Sequence, residues 1–168
     1  PLQLPTAKGL PANQTTEIVA GLNLDARAEV AVETPGATPA DPPSFEPPLE
    51  TYGTSVVVYD SQGVEIPVNV YFVKGDPAVT TAPASNNTWR AFARVNGAAA
   101  PVPLGSIGFD SQGKPSTTPL SFDLVVPSNA GAELPGPDAD PATFNVTVDL
   151  SEVTQFGTRF SVYQIEQD

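Results

Sequence analysis

Nineteen carboxylates, seven Lys or Arg side chains and four tyrosines are the ionisable side chains of this 168-residue chain, which has no histidine, cysteine or methionine. Those absences remove the disulfide framework, the thiol nucleophile, the imidazole base, the zinc finger, the haem axial ligand and the copper thioether site. Acid–base chemistry would have to fall to Asp and Glu. A glycosidase needs two of them held about 5 to 9.5 Å apart across a sugar cleft. No spacing in the sequence selects such a pair, and most of the acids fall in loops or on the polar side of strand patterns, where they read as a solvated face. A serine triad needs a His or Lys base, and Lys8, Lys74 and Lys114 all sit in turn-like contexts. There is no Gly-x-Ser-x-Gly elbow and no phosphate-cradling glycine loop. Asp138 and Asp140, in Pro137-Asp138-Ala139-Asp140-Pro141, are the best oxygen ligands for calcium. Neither they nor the two Asp-Ser-Gln-Gly segments supply the acid series, glycine and distal Glu of an EF-hand loop. No catalytic residue, metal site or cofactor is therefore assigned.

Two further groups could bind without reacting. Trp89, with Tyr52, Tyr59, Tyr71 and Tyr163, has the chemistry of a sugar-stacking platform. Alternation over 88–95, however, puts Trp89, Ala91, Ala93 and Val95 on one face, which reads as core. Arg90, Phe92 and Arg94 take the other face, and the two arginines there are candidates for an interchain contact with acidic loops.

The elements that position these residues follow a two-residue period throughout, with no sustained 3.6-residue pattern. Strands are predicted over 16–24, 27–33, 54–59, 64–73, 88–95, 105–109, 120–126, 143–150 and 159–165. Leu120, Phe122, Leu124 and Val126 share one face, and so do Phe144, Val146, Val148 and Leu150. Such half-apolar strands need a second layer. The expected fold is all-β, an antiparallel β-sandwich or flattened β-barrel with long Pro-rich loops and almost no helix. Trp89, Tyr71, Phe122 and Phe144 are its predicted core aromatics. Three segments are expected to be irregular: a strap at 34–50 holding six prolines, a loop at 76–87 and a loop at 127–141. The near-repeat Tyr59-Asp60-Ser61-Gln62-Gly63 and Phe109-Asp110-Ser111-Gln112-Gly113 predicts two similar hairpin turns, Asp60 and Asp110 accepting from backbone two residues on. Gly63 and Gly113 would supply the positive φ.

Composition narrows the partners. Proline is 20 of 168 residues, about 12% against a typical value of about 5%, which disfavours long helices. A net charge of −12 and a pI of about 4.1 argue against nucleic acid. The apolar runs are only a few residues long, far short of the ~20 that cross a bilayer as a helix. A chain of this length buries roughly 70% of its unfolded surface, enough for a core without staples. Opening on Pro1, it is expected to be a fragment or a processed product.

The stretch Thr54 to Gly63, continued by Val68-Asn69-Val70-Tyr71-Phe72-Val73-Lys74 and then Asn87-Thr88-Trp89, resembles the bacterial flagellar hook protein family. Leu10-Pro11-Ala12, Thr15-Thr16 and Leu22-Asn23-Leu24 resemble that family's approach to its outer domain. Asp149-Leu150-Ser151, Thr154-Gln155-Phe156-Gly157 and Gln167-Asp168 resemble its return. The resemblance implies a structural role without catalysis, in subunits that polymerise into the curved tube joining rod to filament. It implies an extended approach segment at 1–14 and the outer β domain at 15–168. Implied partners are other hook subunits and the rod, hook cap and hook–filament junction proteins. Implied location is the extracellular hook, reached through the flagellar type III apparatus. Since the family's helical termini, on which assembly depends, are absent, the fragment is expected to be monomeric. The Pro-rich strap departs from the family pattern. The alternative reading is a carbohydrate-binding or adhesin-type extracellular β module.

Overall fold

The computed structural model describes residues 12–77, 84–98, 100–128 and 143–168. Eleven strands follow one another there: β1 (Glu17–Asp25), β2 (Val32–Thr34), β3 (Ser44–Glu46), β4 (Gly53–Tyr59), β5 (Glu65–Lys74), β6 (Thr88–Val95), β7 (Val102–Gly108), β8 (Ser121–Pro127), β9 (Thr143–Asp149), β10 (Thr154–Phe156) and β11 (Ser161–Gln167). Two short 3₁₀ turns, Leu49–Thr51 and Ala84–Asn87, are the helical elements among the described residues.

Strands β4 to β7 form an antiparallel meander. The other sheet is built around β1. Strand β11 pairs antiparallel along one edge of β1, while β9 and then β10 run parallel to its other edge, and β8 pairs antiparallel with β9. The sheet is therefore mixed where a purely antiparallel one was expected. Parallel neighbours arise because the chain leaves β9, kinks at Leu150 to Val153 and resumes as β10 without reversing direction.

Alternation sets the core. Ile18, Ala20, Leu22 and Leu24 of β1 face Val68, Val70 and Phe72 of β5 and Trp89, Ala91 and Ala93 of β6, with Leu124, Val126, Val146 and Val148 completing one buried cluster. At the two seams, β4 approaches β11 and β7 approaches β8. Among the described residues no ladder joins the sheets there, so the section is a sandwich with a flattened-barrel outline.

The strap differs from its expected irregular course. Its ends pair as β2 and β3, with Val32 opposite Glu46 and Thr34 opposite Ser44, and Asp41 closes the intervening turn on Thr38. Phe45 and Leu49 turn inward and form a second cluster with Val73 and Phe92 on the outer face of the meander. Proline density concealed this because each strand is only three residues long. The strand expected over 27–33 is correspondingly shorter. Asp25 accepts from the backbone of Arg27 and Ala28, turning the chain before it can extend. In the loop expected over 76–87, residues 84–87 form a 3₁₀ turn. Most of the loop at 127–141, with Asp138 and Asp140, lies outside the described residues.

Candidate functional site

Three places in the fold concentrate polar side chains. The first is the junction where β1 begins and β11 ends. Buried Thr15 donates its N–H to Tyr59 O (2.9 Å), accepts the Tyr59 N–H on Oγ1 (3.0 Å) and donates Oγ1–H to Gln167 Oε1 (2.8 Å). One residue on, the Asp168 carboxylate accepts the N–H groups of Thr16 (2.7 Å) and Glu17 (3.0 Å) and the Thr16 hydroxyl. These bonds, the Thr16 hydroxyl first, hold the Asp168 carboxyl below its ordinary 3.8. Residues 15–17 and 167–168 are thus tied side by side.

The second place is the inner end of β6. Trp89 is fully buried. Its indole N–H donates to Gln155 Oε1 (2.7 Å), Gln155 Nε2 donates to Asn87 Oδ1 (3.0 Å), and Tyr52 packs edge-on at 5.4 Å. No face of Trp89 is open to stack on a sugar. Nearby, buried Asn23 accepts the Phe156 N–H (2.9 Å) and donates to Thr158 O (3.1 Å), holding β10 and the turn into β11 against β1. Lys74 is buried too, its ammonium donating to Ala26 O (2.6 Å) and Ala28 O (2.9 Å). Burial pushes its pKa down, opposed by the charge of Asp25.

The third place is the outer face of the meander, where Arg90 and Arg94 stand under the strap. Arg90 Nη1 pairs with Glu33 Oε2 (2.6 Å) and Nε donates to Gly75 O (3.0 Å). Its guanidinium lies 5.4 Å from the Phe45 ring centroid and 5.7 Å from that of Phe92. Arg94 Nη1 reaches Glu50 Oε1 (3.2 Å) and its guanidinium sits 5.4 Å from the Tyr71 centroid. Both arginines are thus engaged within their own chain.

Of the four predicted core aromatics, Trp89 and Phe144 are buried and Phe122 is half-buried, its ring laid over Gly105 at the β7–β8 seam. Tyr71 is half-buried outside the main core. Phe72 and Val70 take the inner face, so the two-residue period turns Tyr71 outward beneath Arg94. In the two Asp-Ser-Gln-Gly segments, Asp60 Oδ1 accepts the N–H groups of Gln62 and Val64 (both 2.9 Å), and Asp110 Oδ1 those of Gln112 (2.8 Å) and Lys114 (2.9 Å). Ser61 and Gln62 are exposed at the tip of the first turn. Gly63 and Gly113 have φ of +80° and +77°. The first turn joins β4 to β5. The second ends in a single bridge, Phe109 to Pro115, and docks on β10 through Gln155 N–H to Gly113 O (2.9 Å).

No three His, Cys, Asp or Glu side chains among the described residues stand close enough to hold a metal ion. The carboxyl shifts at Asp25, beside Arg27, and at Asp168 are both downward, opposite to the raised acid of a glycosidase. The polar geometry ties chain segments together.

The family described as Flagellar basal body protein FlaE D2 domain matches residues 23–168. The chain belongs to this family. Among curated proteins, this D2-family chain is 29% identical over 133 residues to the Flagellar hook protein FlgE of Rhizobium meliloti (strain 1021), a match covering 78% of the chain and 30% of that protein. The chain thus spans about 30% of the length of that relative. Thr15, Asn23 and Gln155 enter the sequence reading only within the segments of the family resemblance, with no role of their own, and the pairing of Glu33 and Glu50 with the two arginines is not read there at all. One signal was available for Lys74, which falls on the apolar side of its strand in register with Phe72 and Val70.

Proposed function

We propose that this D2-family chain is the outer β domain of a bacterial flagellar hook subunit, a structural part of the flexible tube that carries torque from rod to filament. The observation that carries the reading is the family match over nearly the whole described fold, alongside the likeness to a flagellar hook protein. Geometry supports it. A domain inserted in a longer chain needs its two ends together, and the Thr15, Thr16, Gln167 and Asp168 bonds bring them together at one edge of the sandwich.

In this reading, residues 1–14 are an approach segment and 15–168 the outer domain. The parent protein polymerises with its own copies and meets the rod, the hook cap and the hook–filament junction proteins. It works outside the cell after passage through the flagellar type III apparatus, and performs no catalysis. Deleting the segment from the parent gene tests the assignment. Electron microscopy and swimming assays are expected to show malformed hooks and impaired motility; normal hooks and normal swimming would overturn it.

A further inference from the structure

The Pro-rich strap, taken here as residues 32–51, is fastened firmly at its two ends and lightly between them. At its start, Ala31 N–H donates to Lys74 O (2.8 Å), and the buried Lys74 ammonium holds Ala26 O and Ala28 O. At its end, Phe72 N–H donates to Tyr52 O (2.8 Å), and the Tyr52 ring packs on Trp89 and Phe160. Both anchors are therefore tied to the sandwich. Between them, among the described residues, no backbone hydrogen bond runs from 32–51 to either sheet. Strands β2 and β3 pair only with each other, and the turns at Asp41 and Thr51 close on Thr38 and Pro48 within the strap.

Side chains do the holding. Phe45 and Leu49 are buried with Val73 and Phe92 in a small cluster separate from the main core, the Phe45 and Phe92 rings 5.4 Å apart. Glu33 pairs with Arg90 and Glu50 with Arg94, but both pairs are partly exposed, and such pairs contribute little in water. The fit is also incomplete. Two adjoining clefts of about 360 Å³ and 230 Å³ undercut the strap at Pro43, facing β6. In the smaller one Arg94 Nε is buried without an acceptor among the described residues. A close-packed interior leaves no voids of this size.

We propose that the strap is a hinged cover that opens as a unit about Ala31 and Tyr52 while the sandwich stays folded. Its internal bonds, with Asp41 also accepting the Thr38 N–H and hydroxyl, let it lift as one body. Opening separates a few apolar contacts and two ion pairs and breaks no ladder of either sheet, so its free energy lies below that of global unfolding. Closed, this face is acidic: Glu33 and Glu50 balance the arginines, and exposed Asp41 and Glu46 add negative charge. Open, it presents Arg90 and Arg94, two of the seven basic side chains, beside Phe92, Tyr71 and Val73. The movement thus converts an acidic face into a basic, aromatic one. The proposal goes beyond the hook reading and does not depend on it.

Thiol labelling tests it in the whole chain, which has no cysteine of its own. Val73→Cys places a thiol beneath the strap, and Val70→Cys places one in the main core on the same strand; both valines are buried. Alkylation is expected at least roughly a hundredfold faster at Val73→Cys, with a shallow dependence on urea, and steeply urea-dependent at Val70→Cys. Adding Val146→Ala, in the core away from the strap, is expected to speed labelling at Val70→Cys roughly tenfold or more and to leave Val73→Cys unchanged, because open and closed states share the same sandwich. Adding Phe45→Ala is expected to speed Val73→Cys roughly tenfold or more, and Glu33→Gln with Glu50→Gln a few-fold. Circular dichroism checks that each variant is folded. One common rate and urea slope for the two thiols, an equal response of both to Val146→Ala, or a Val73→Cys rate indifferent to the strap substitutions would overturn the hinged cover.

Discussion

Single buried polar groups decide much of what holds this domain in one arrangement. Trp89 fills the core, but its indole N–H could not lie there without Gln155, which is itself oriented by Asn87. Gln155→Leu keeps the volume and strands the indole N–H together with the Asn87 carbonyl. The expected loss is about 1–3 kcal/mol, read as a lower denaturant midpoint at unchanged slope. Asp168 gives a pH prediction. Its carboxyl is held below the ordinary value by the Thr16 and Glu17 donors, so the stability it contributes is present above the unfolded pKa and is lost as pH falls through the folded one. Acid titration of unfolding is expected to show a decline below about pH 4 that is shallower in Asp168→Asn. An equal decline in both proteins would remove Asp168 from the clamp. Trp89 was legible at this scale because strand alternation assigned it a face. Gln155 was not, because its partner lies 66 residues away.

At the level of elements, one short sequence does two different jobs. Asp60 to Gly63 and Asp110 to Gly113 have the same internal bonds and the same positive glycine φ, yet the first stands at a hairpin tip while the second is wedged under β10. A Cβ on Gly113 would lie 2.2 Å from the Gln155 carbonyl oxygen, a backbone atom that cannot yield, whereas at Gly63 the nearest contact is Ala12 Cβ at 3.1 Å. Gly63→Ala is expected to cost about 1–2 kcal/mol, the left-handed penalty, and Gly113→Ala clearly more. Thermal unfolding of the two variants compares them, and equal shifts would contradict the docking of the second turn. The long strands were readable from their two-residue period. The three-residue strands β2, β3 and β10 were not, since so few residues establish no period and their pairing partners, not their own propensities, make them strands.

The whole molecule presents two unlike faces. One carries the strap, docked by Phe45, Leu49, Arg90 and Arg94, while the other carries the exposed ring of Phe156. With most of its apolar side chains inside and a net charge of −12, the chain is expected to be monomeric at micromolar concentration. Light scattering checks this, and a stable dimer there would contradict it. By itself, the sequence determined the fold class, the inward face of each long strand and the chemistry of the turns. Those properties are set by neighbours two to four residues apart. It also excluded most catalytic chemistry, through the residue types it lacks. Only the tertiary structure decided that β9 and β10 run parallel to β1, that the Pro-rich strap folds back as a hairpin, and that Arg90 and Arg94 face Glu33 and Glu50. The physical reason is common to all three. Each depends on contacts between residues ten or more positions apart, whose free energy appears only once the segments they join have packed together.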